Sequence, residues 1–129
     1  MKKKTYLIIL LLVWVLLSCK DEPAKNFNLA VDVQGGFEQD DLQVFIDNEE
    51  LLNAKVQTNQ VLGVCNVNGK ISHVKNLIEG KHEIKAVLNG SITLTQSVTL
   101  HNNLYIGVNY NRQESKFYFN QSNQPFGYD

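Results

Sequence analysis

Positive charge is in short supply in this 129-residue chain, where 12 Lys and Arg face 13 Asp and Glu for a formal net charge of −1. Three of the basic residues, Lys2, Lys3 and Lys4, crowd the N-terminus, so the remainder carries nine against 13, a balance of −4. A surface that gains affinity by neutralising phosphates needs the opposite balance, which excludes nucleic acid as the partner. Helical periodicity is missing too. No segment of ten or more residues carries a 3.6-residue apolar stripe, so helix should be nearly absent. Nor is there an apolar run long enough for a membrane span: Tyr6 to Leu17 holds 12 residues, about 18 Å as a helix against a hydrocarbon core of roughly 30 Å. Tryptophan occurs once, as Trp14 inside that run. The length suits one domain and leaves no room for a catalytic domain beside a separate binding domain.

What the N-terminus does have is the pattern of an address. Lys2 to Lys4 form a basic segment before the short apolar run, the layout of an export signal over residues 1–18. Leu16-Leu17-Ser18-Cys19 then resembles the lipobox of bacterial lipoproteins, with an apolar residue at −3, a small residue at −1 and cysteine at +1. Leu17 is bulkier than that family's usual choice at −2. The resemblance implies cleavage before Cys19, acylation of its thiol and acylation of the new amino group. At about 0.8 kcal/mol per buried methylene a single chain holds marginally and two or three hold stably, so the mature protein should be membrane-bound through its N-terminal lipid. Lys20-Asp21-Glu22 resembles the surface-export signal of Bacteroidetes-type lipoproteins, which implies display on the outer face of the outer membrane; the competing reading is an ordinary solvated spacer. Residues 19–26, with Pro23 and few apolar side chains, read as a lipidated flexible tether. If Cys19 is lipidated, Cys65 has no intramolecular partner, and within Val61-Leu62-Gly63-Val64-Cys65 it reads as a small buried hydrophobe.

From residue 27 to 129 the pattern changes to period-two alternation broken by turn residues every 8 to 12 positions. Leu42, Val44 and Ile46 make one inward row; Ile92, Leu94, Val98 and Leu100 make another, interleaved with Thr93, Thr95 and Thr99; Leu104, Ile106, Val108 and Tyr110 make a third. Asn89-Gly90 between alternating runs is a strong hairpin signal, since a type I′ turn needs positive φ at both central residues, and Asn68-Gly69 is a second. The expected strands are 27–33, 42–47, 50–57, 61–67, 70–75, 81–88, 91–100, 103–110 and 116–120. Seven to nine strands in about 100 residues match an all-β antiparallel sandwich, immunoglobulin-like or transthyretin-like, with a barrel as the alternative. Leu77-Ile78-Glu79-Gly80-Lys81-His82-Glu83-Ile84 resembles the turn-into-strand segment of immunoglobulin-like and carboxypeptidase-regulatory-like sandwiches, in which a corner tyrosine bonds upstream backbone. His82 stands in the tyrosine's place, and a ring nitrogen could make a related bond.

Motifs for chemistry are few. His73, His82 and His101 are far apart and lack a cysteine partner at ligand spacing, so no metal or other cofactor is expected. Asp40-Asp41 and Asp47-Asn48-Glu49-Glu50 lack the calcium-loop spacing and read as solvated turns. Ser72 and His73 are adjacent on an expected strand and so point to opposite faces, which separates a would-be nucleophile from its base. There is no Gly-x-Ser-x-Gly, phosphate-binding glycine loop or His-Glu-x-x-His. Gly35-Gly36 reads as an ordinary loop between the first two strands. The chain is therefore expected to be non-enzymatic, an accessory or binding module for an envelope protein or extracellular ligand. The rival readings are a small cell-envelope hydrolase with loop carboxylates and a periplasm-facing assembly factor. Candidate binding residues are the outward aromatics Phe45, Tyr105 and Tyr118, with Phe126 and Tyr128 in a C-terminal tail expected to dock on the sandwich.

Overall fold

A computed structural model describes residues 22–128 of the chain. Eight strands and no helix occur among the described residues: β1 (Asn26–Val33), β2 (Asp40–Ile46), β3 (Glu49–Val56), β4 (Ser72–Ile78), β5 (Gly80–Leu88), β6 (Ile92–Leu100), β7 (Leu104–Asn111) and β8 (Lys116–Ser122). They form two four-stranded sheets, one in the order β4-β1-β7-β8 and the other β3-β2-β5-β6. All neighbours are antiparallel except β1 and β7, which run parallel. An immunoglobulin constant-type sandwich pairs its first strand with its second, in sheets of four and three. Here those two strands lie in different sheets, so of the two expected sandwich types the strand order favours the transthyretin-like one.

The alternation in the sequence becomes the packing between the sheets. Leu42, Val44 and Ile46 on β2 and Ile84, Ala86 and Leu88 on β5 meet Leu29, Val31 and Val33 on β1 and Ile106 and Val108 on β7, all fully buried. Each aliphatic side chain of this size, moved from water into such a core, contributes about 1.5–3 kcal/mol. One end of the core is closed by Phe37, Tyr110 and Phe117, whose ring centroids lie 5.6–6.4 Å apart. Gly36 permits that closure: its φ is 92°, and a Cβ there would sit 1.8 Å from the carbonyl oxygen of Tyr110. The inter-sheet flank between β3 and β4 carries an ion pair from Lys75 to Glu49 at 2.7 Å.

Three tight turns have φ values that suit Asn, Asp and Gly. Asn89-Gly90 joins β5 to β6 at 51° and 73°, and Asp47-Asn48 joins β2 to β3 at 51° and 63°. Asn68-Gly69 adopts 54° and 80° but closes only an isolated bridge between Val67 and Lys70.

That difference corrects one expected strand. Residues 61–67 are a loop: Asn59 draws the backbone back on itself, its Oδ1 accepting from Val61 N at 2.9 Å and Leu62 N at 3.1 Å while its carbonyl accepts from Gly63 N at 2.7 Å. The apolar residues there are spaced 61, 62, 64, 65 and 67, not every second position, so they do not share one face of a strand. Val64, Cys65 and Val67 are buried, with Cys65 N donating to Val33 O at 2.7 Å, whereas Val61 and Leu62 form an exposed tip. The expected strand 70–75 correspondingly moves to 72–78.

Candidate functional site

Residues 22–25 enter the sandwich at the end opposite the aromatic closure. Lys25 O accepts from Glu79 N at 2.8 Å, which ties the entering chain to the β4–β5 corner. Two residues later Phe27 starts the core-facing row of β1, and on the far side of β1 the chain between β6 and β7 passes as His101-Asn102-Asn103. Asn28 N donates to Asn103 Oδ1 at 2.9 Å, holding that loop against β1. Beyond β8, Gln124 N donates to Ser122 Oγ at 3.0 Å and turns the chain back over the sheet. Between these three segments lies an open groove of about 530 Å³, lined by Phe27, Asn102, Asn103, Tyr105, Asn123 and Gln124. Volumes of about 300–1,000 Å³ are typical of small-molecule sites. Tyr105 and four carboxamide residues line it, Phe27 borders it from the core-facing row of β1, and no acid, lysine, arginine or histidine is among them.

From the groove the tail crosses the outer face of the β4-β1-β7-β8 sheet. There Tyr128 OH donates to Asp32 Oδ2 at 2.6 Å and accepts from Gln34 Nε2 at 3.0 Å, while Asn109 Nδ2 donates to Gln34 Oε1 at 2.9 Å. Asp32, Gln34 and Asn109 are all buried although they occupy outward positions of β1, its extension and β7. Gly107 makes the space, since a Cβ on it would come within 2.2 Å of Gln34 Oε1. Burial, and then the Asp32 carboxyl that accepts its hydrogen bond, push the Tyr128 phenol well above its ordinary range. Asp32 Oδ1 is buried with no hydrogen-bond partner among the described residues.

The five expected aromatics therefore separate. Tyr105 and Tyr118 share the sheet face that the tail crosses; Tyr105 is half-buried in the groove, and Tyr118 is 49% exposed on β8. Phe126 is half-buried and Tyr128 reaches the polar cluster, so the tail docks on the outer face of a sheet. Phe45 belongs to the other sheet, with Lys85 Nζ 4.8 Å from its ring centroid. The amides of the groove and the trio Asp32, Gln34 and Asn109 escaped the sequence reading. Their signals were local: an Asn pair at a strand end, and a glycine in the middle of a strand.

His82 makes the corner bond that its position suggests. Its Nε2 lies 2.6 Å from Ile78 O and its Nδ1 2.5 Å from Asp47 Oδ2, and Glu83 N donates to Asp47 Oδ1 at 2.8 Å. The Asp47 bond raises the His82 pKa above 6.5, against the opposing pull of burial. Burial works against Asp47 ionising, but the bonds from His82 and Glu83 N and the nearby positive charge hold it below its usual value. His73 pairs with inward-facing Val31 while Ser72 pairs with Asp32, which places the two side chains on opposite faces of the sheet. Burial lowers the His73 pKa. Burial likewise raises the Cys65 thiol, while Thr58 lies 3.6 Å from its sulfur. Among the described residues, no three His, Cys, Asp or Glu side chains converge as a metal site. Cys19, Lys20 and Asp21 lie outside the described residues, and Glu22 is exposed.

Comparison of the chain with protein-family models, with curated proteins and with solved structures finds no match in any of the three.

Proposed function

We propose that the chain is a lipid-anchored outer-membrane protein, displayed at the cell surface, whose sandwich is a non-enzymatic binding module. The observation that supports binding is the groove: an uncharged, aromatic-flanked hollow of ligand size, built from three segments that converge where the tether enters. Its lining holds no carboxylate, imidazole or lysine to serve as general acid or base, which favours retention of a ligand over its conversion. The anchor is supported by the Leu16-Leu17-Ser18-Cys19 pattern, and surface display by Lys20-Asp21-Glu22.

Metabolic labelling with an alkynyl fatty acid in the native type of host tests the anchor. Wild-type protein should take up label and resist alkaline extraction from membranes, and Cys19→Ala should do neither. Protease shaving of intact cells tests display: the wild type should be digested, and a variant with alanine at residues 20, 21 and 22 should be protected at equal expression. Labelling of the Cys19→Ala protein would refute the anchor, and equal protection of both proteins would reduce the three residues to a spacer.

A further inference from the structure

We infer that the groove at the tether end takes a neutral, hydroxyl-rich chain, an oligosaccharide without charged groups; this rests on the reading of the domain as a binding module. A charged ligand entering the groove would lose water and meet no counter-charge among Phe27, Asn102, Asn103, Tyr105, Asn123 and Gln124. A wholly apolar ligand would strand the four carboxamides without partners. Each carboxamide presents donor hydrogens and an acceptor oxygen side by side, and each sugar hydroxyl both donates and accepts, so the two groups satisfy one another without any ionised residue. The half-buried ring of Tyr105 adds a flat apolar surface for the carbon-bound hydrogens of a sugar ring.

The site is partly organised in advance. Asn28 N holds the Asn103 side chain by its oxygen, which leaves the Asn103 amide hydrogens to donate elsewhere. Among the described residues no intramolecular hydrogen bond engages the side-chain amides of Asn102, Asn123 or Gln124, while Gln124 is positioned through its backbone bond to Ser122. The groove is open to solvent, so a ligand longer than the hollow is accommodated.

Its place on the molecule bears on where the saccharide comes from. Phe27 lines the groove two residues after Lys25, the point where the tether is tied to the corner. Residues 19–25, fully extended, reach at most about 25 Å. With Cys19 in a bilayer the groove therefore works close to the membrane, within range of a glycolipid headgroup as well as of a free glycan; both present the same neutral hydroxyl chemistry.

The experiment uses the full-length lipidated protein in phosphatidylethanolamine and phosphatidylglycerol vesicles. It is titrated with cellohexaose, maltohexaose, xylohexaose and mannohexaose, with hexagalacturonate as the charged control, and in a second arm with vesicles containing digalactosyldiacylglycerol. The expected result is saturable binding of at least one neutral hexasaccharide or of the glycolipid, with hexagalacturonate weaker by about tenfold or more. Tyr105→Ala and Gln124→Ala should each weaken that binding by about tenfold. Gln124 is exposed, so its substitution should leave the melting temperature unchanged. Binding in the first arm alone assigns a free glycan, and binding in the second alone a membrane glycolipid. Three results would overturn the inference: preference for hexagalacturonate, binding that neither variant weakens, or no binding of any neutral saccharide at millimolar concentration in either arm. Cleavage of a bound hexasaccharide, seen as new reducing ends, would instead overturn the non-enzymatic reading while leaving the groove as the saccharide site.

Discussion

His82 faces two acceptors at once, a carboxylate and a carbonyl, and only the doubly protonated ring can donate to both. The stability it contributes should therefore depend on pH. Its folded pKa is raised above 6.5, so this contribution is complete below that value and is lost as pH rises through the raised value. Asp47 is depressed below 3.8, so its contribution is present above that value and is lost as pH falls through the lowered one. The pair should contribute most between roughly pH 4 and 6.5. His82→Gln should accordingly lower the melting temperature by several degrees at pH 5.5, consistent with loss of one or two hydrogen bonds at about 0.5–1.5 kcal/mol each. The deficit should shrink toward pH 9. A deficit that is the same at both pH values would show that the neutral ring does the same work, and no deficit at either would remove His82 from the corner.

At the scale of elements, the tail after β8 is the least regular segment and carries an evident packing task. Ordering residues 123–128 costs about 1–2 kcal/mol of backbone entropy per residue, roughly 6–12 kcal/mol in all. Half-burial of the Phe126 and Tyr128 rings returns roughly 5 kcal/mol at about 25 cal/mol per Å². Two hydrogen bonds of the Tyr128 hydroxyl, one to a carboxyl, add about 1–3 kcal/mol each. The sums nearly balance, so the hydroxyl decides whether the tail stays down. Tyr128→Phe should speed hydrogen exchange and carboxypeptidase trimming of residues 123–128 while β1 and β7 stay protected. Truncation after Ser122 should go further and lower the melting temperature, because Asp32, Gln34 and Asn109 lose their cover. Unchanged exchange in Tyr128→Phe, or an unchanged melt in the truncated protein, would show that the rings or the sheet alone suffice.

Across the whole molecule, stability comes from one core shared by two sheets. Cys65 is buried and unpaired among the described residues, and a lipidated Cys19 would leave it no partner in the chain. The membrane-extracted protein should therefore show one cooperative thermal transition at the same midpoint with and without dithiothreitol. A midpoint that falls on reduction would reveal a disulfide, to Cys19 or to a second molecule, and contradict the assignment of Cys65 as a packed core residue. The loops sort to the two ends of the sandwich. The amide-lined groove and the His82 corner share the end where residues 22–25 enter, while the aromatic closure and the exposed Val61-Leu62 tip occupy the other.

Side-chain alternation and turn chemistry are local properties, which is why the sequence alone determined the all-β class, the inward rows of β2, β6 and β7, and the Asn89-Gly90 hairpin. The His82 corner was legible for the same reason, since its partner Ile78 lies only four residues upstream. Pairing partners are not local. Only the tertiary structure placed β1 beside β7, and that juxtaposition brought Asp32, Gln34 and Asn109 into one cluster and set the start of β1 beside the Tyr105 groove. It also fixed residues 61–67 as a loop: the local bonds to Asn59 bend the chain, and the bond from Cys65 N to Val33 O, 32 positions away, seats it against β1. The groove needs three segments separated by up to 97 positions, from Phe27 to Gln124, and no periodicity within one segment encodes a surface that forms only when distant strands close against each other.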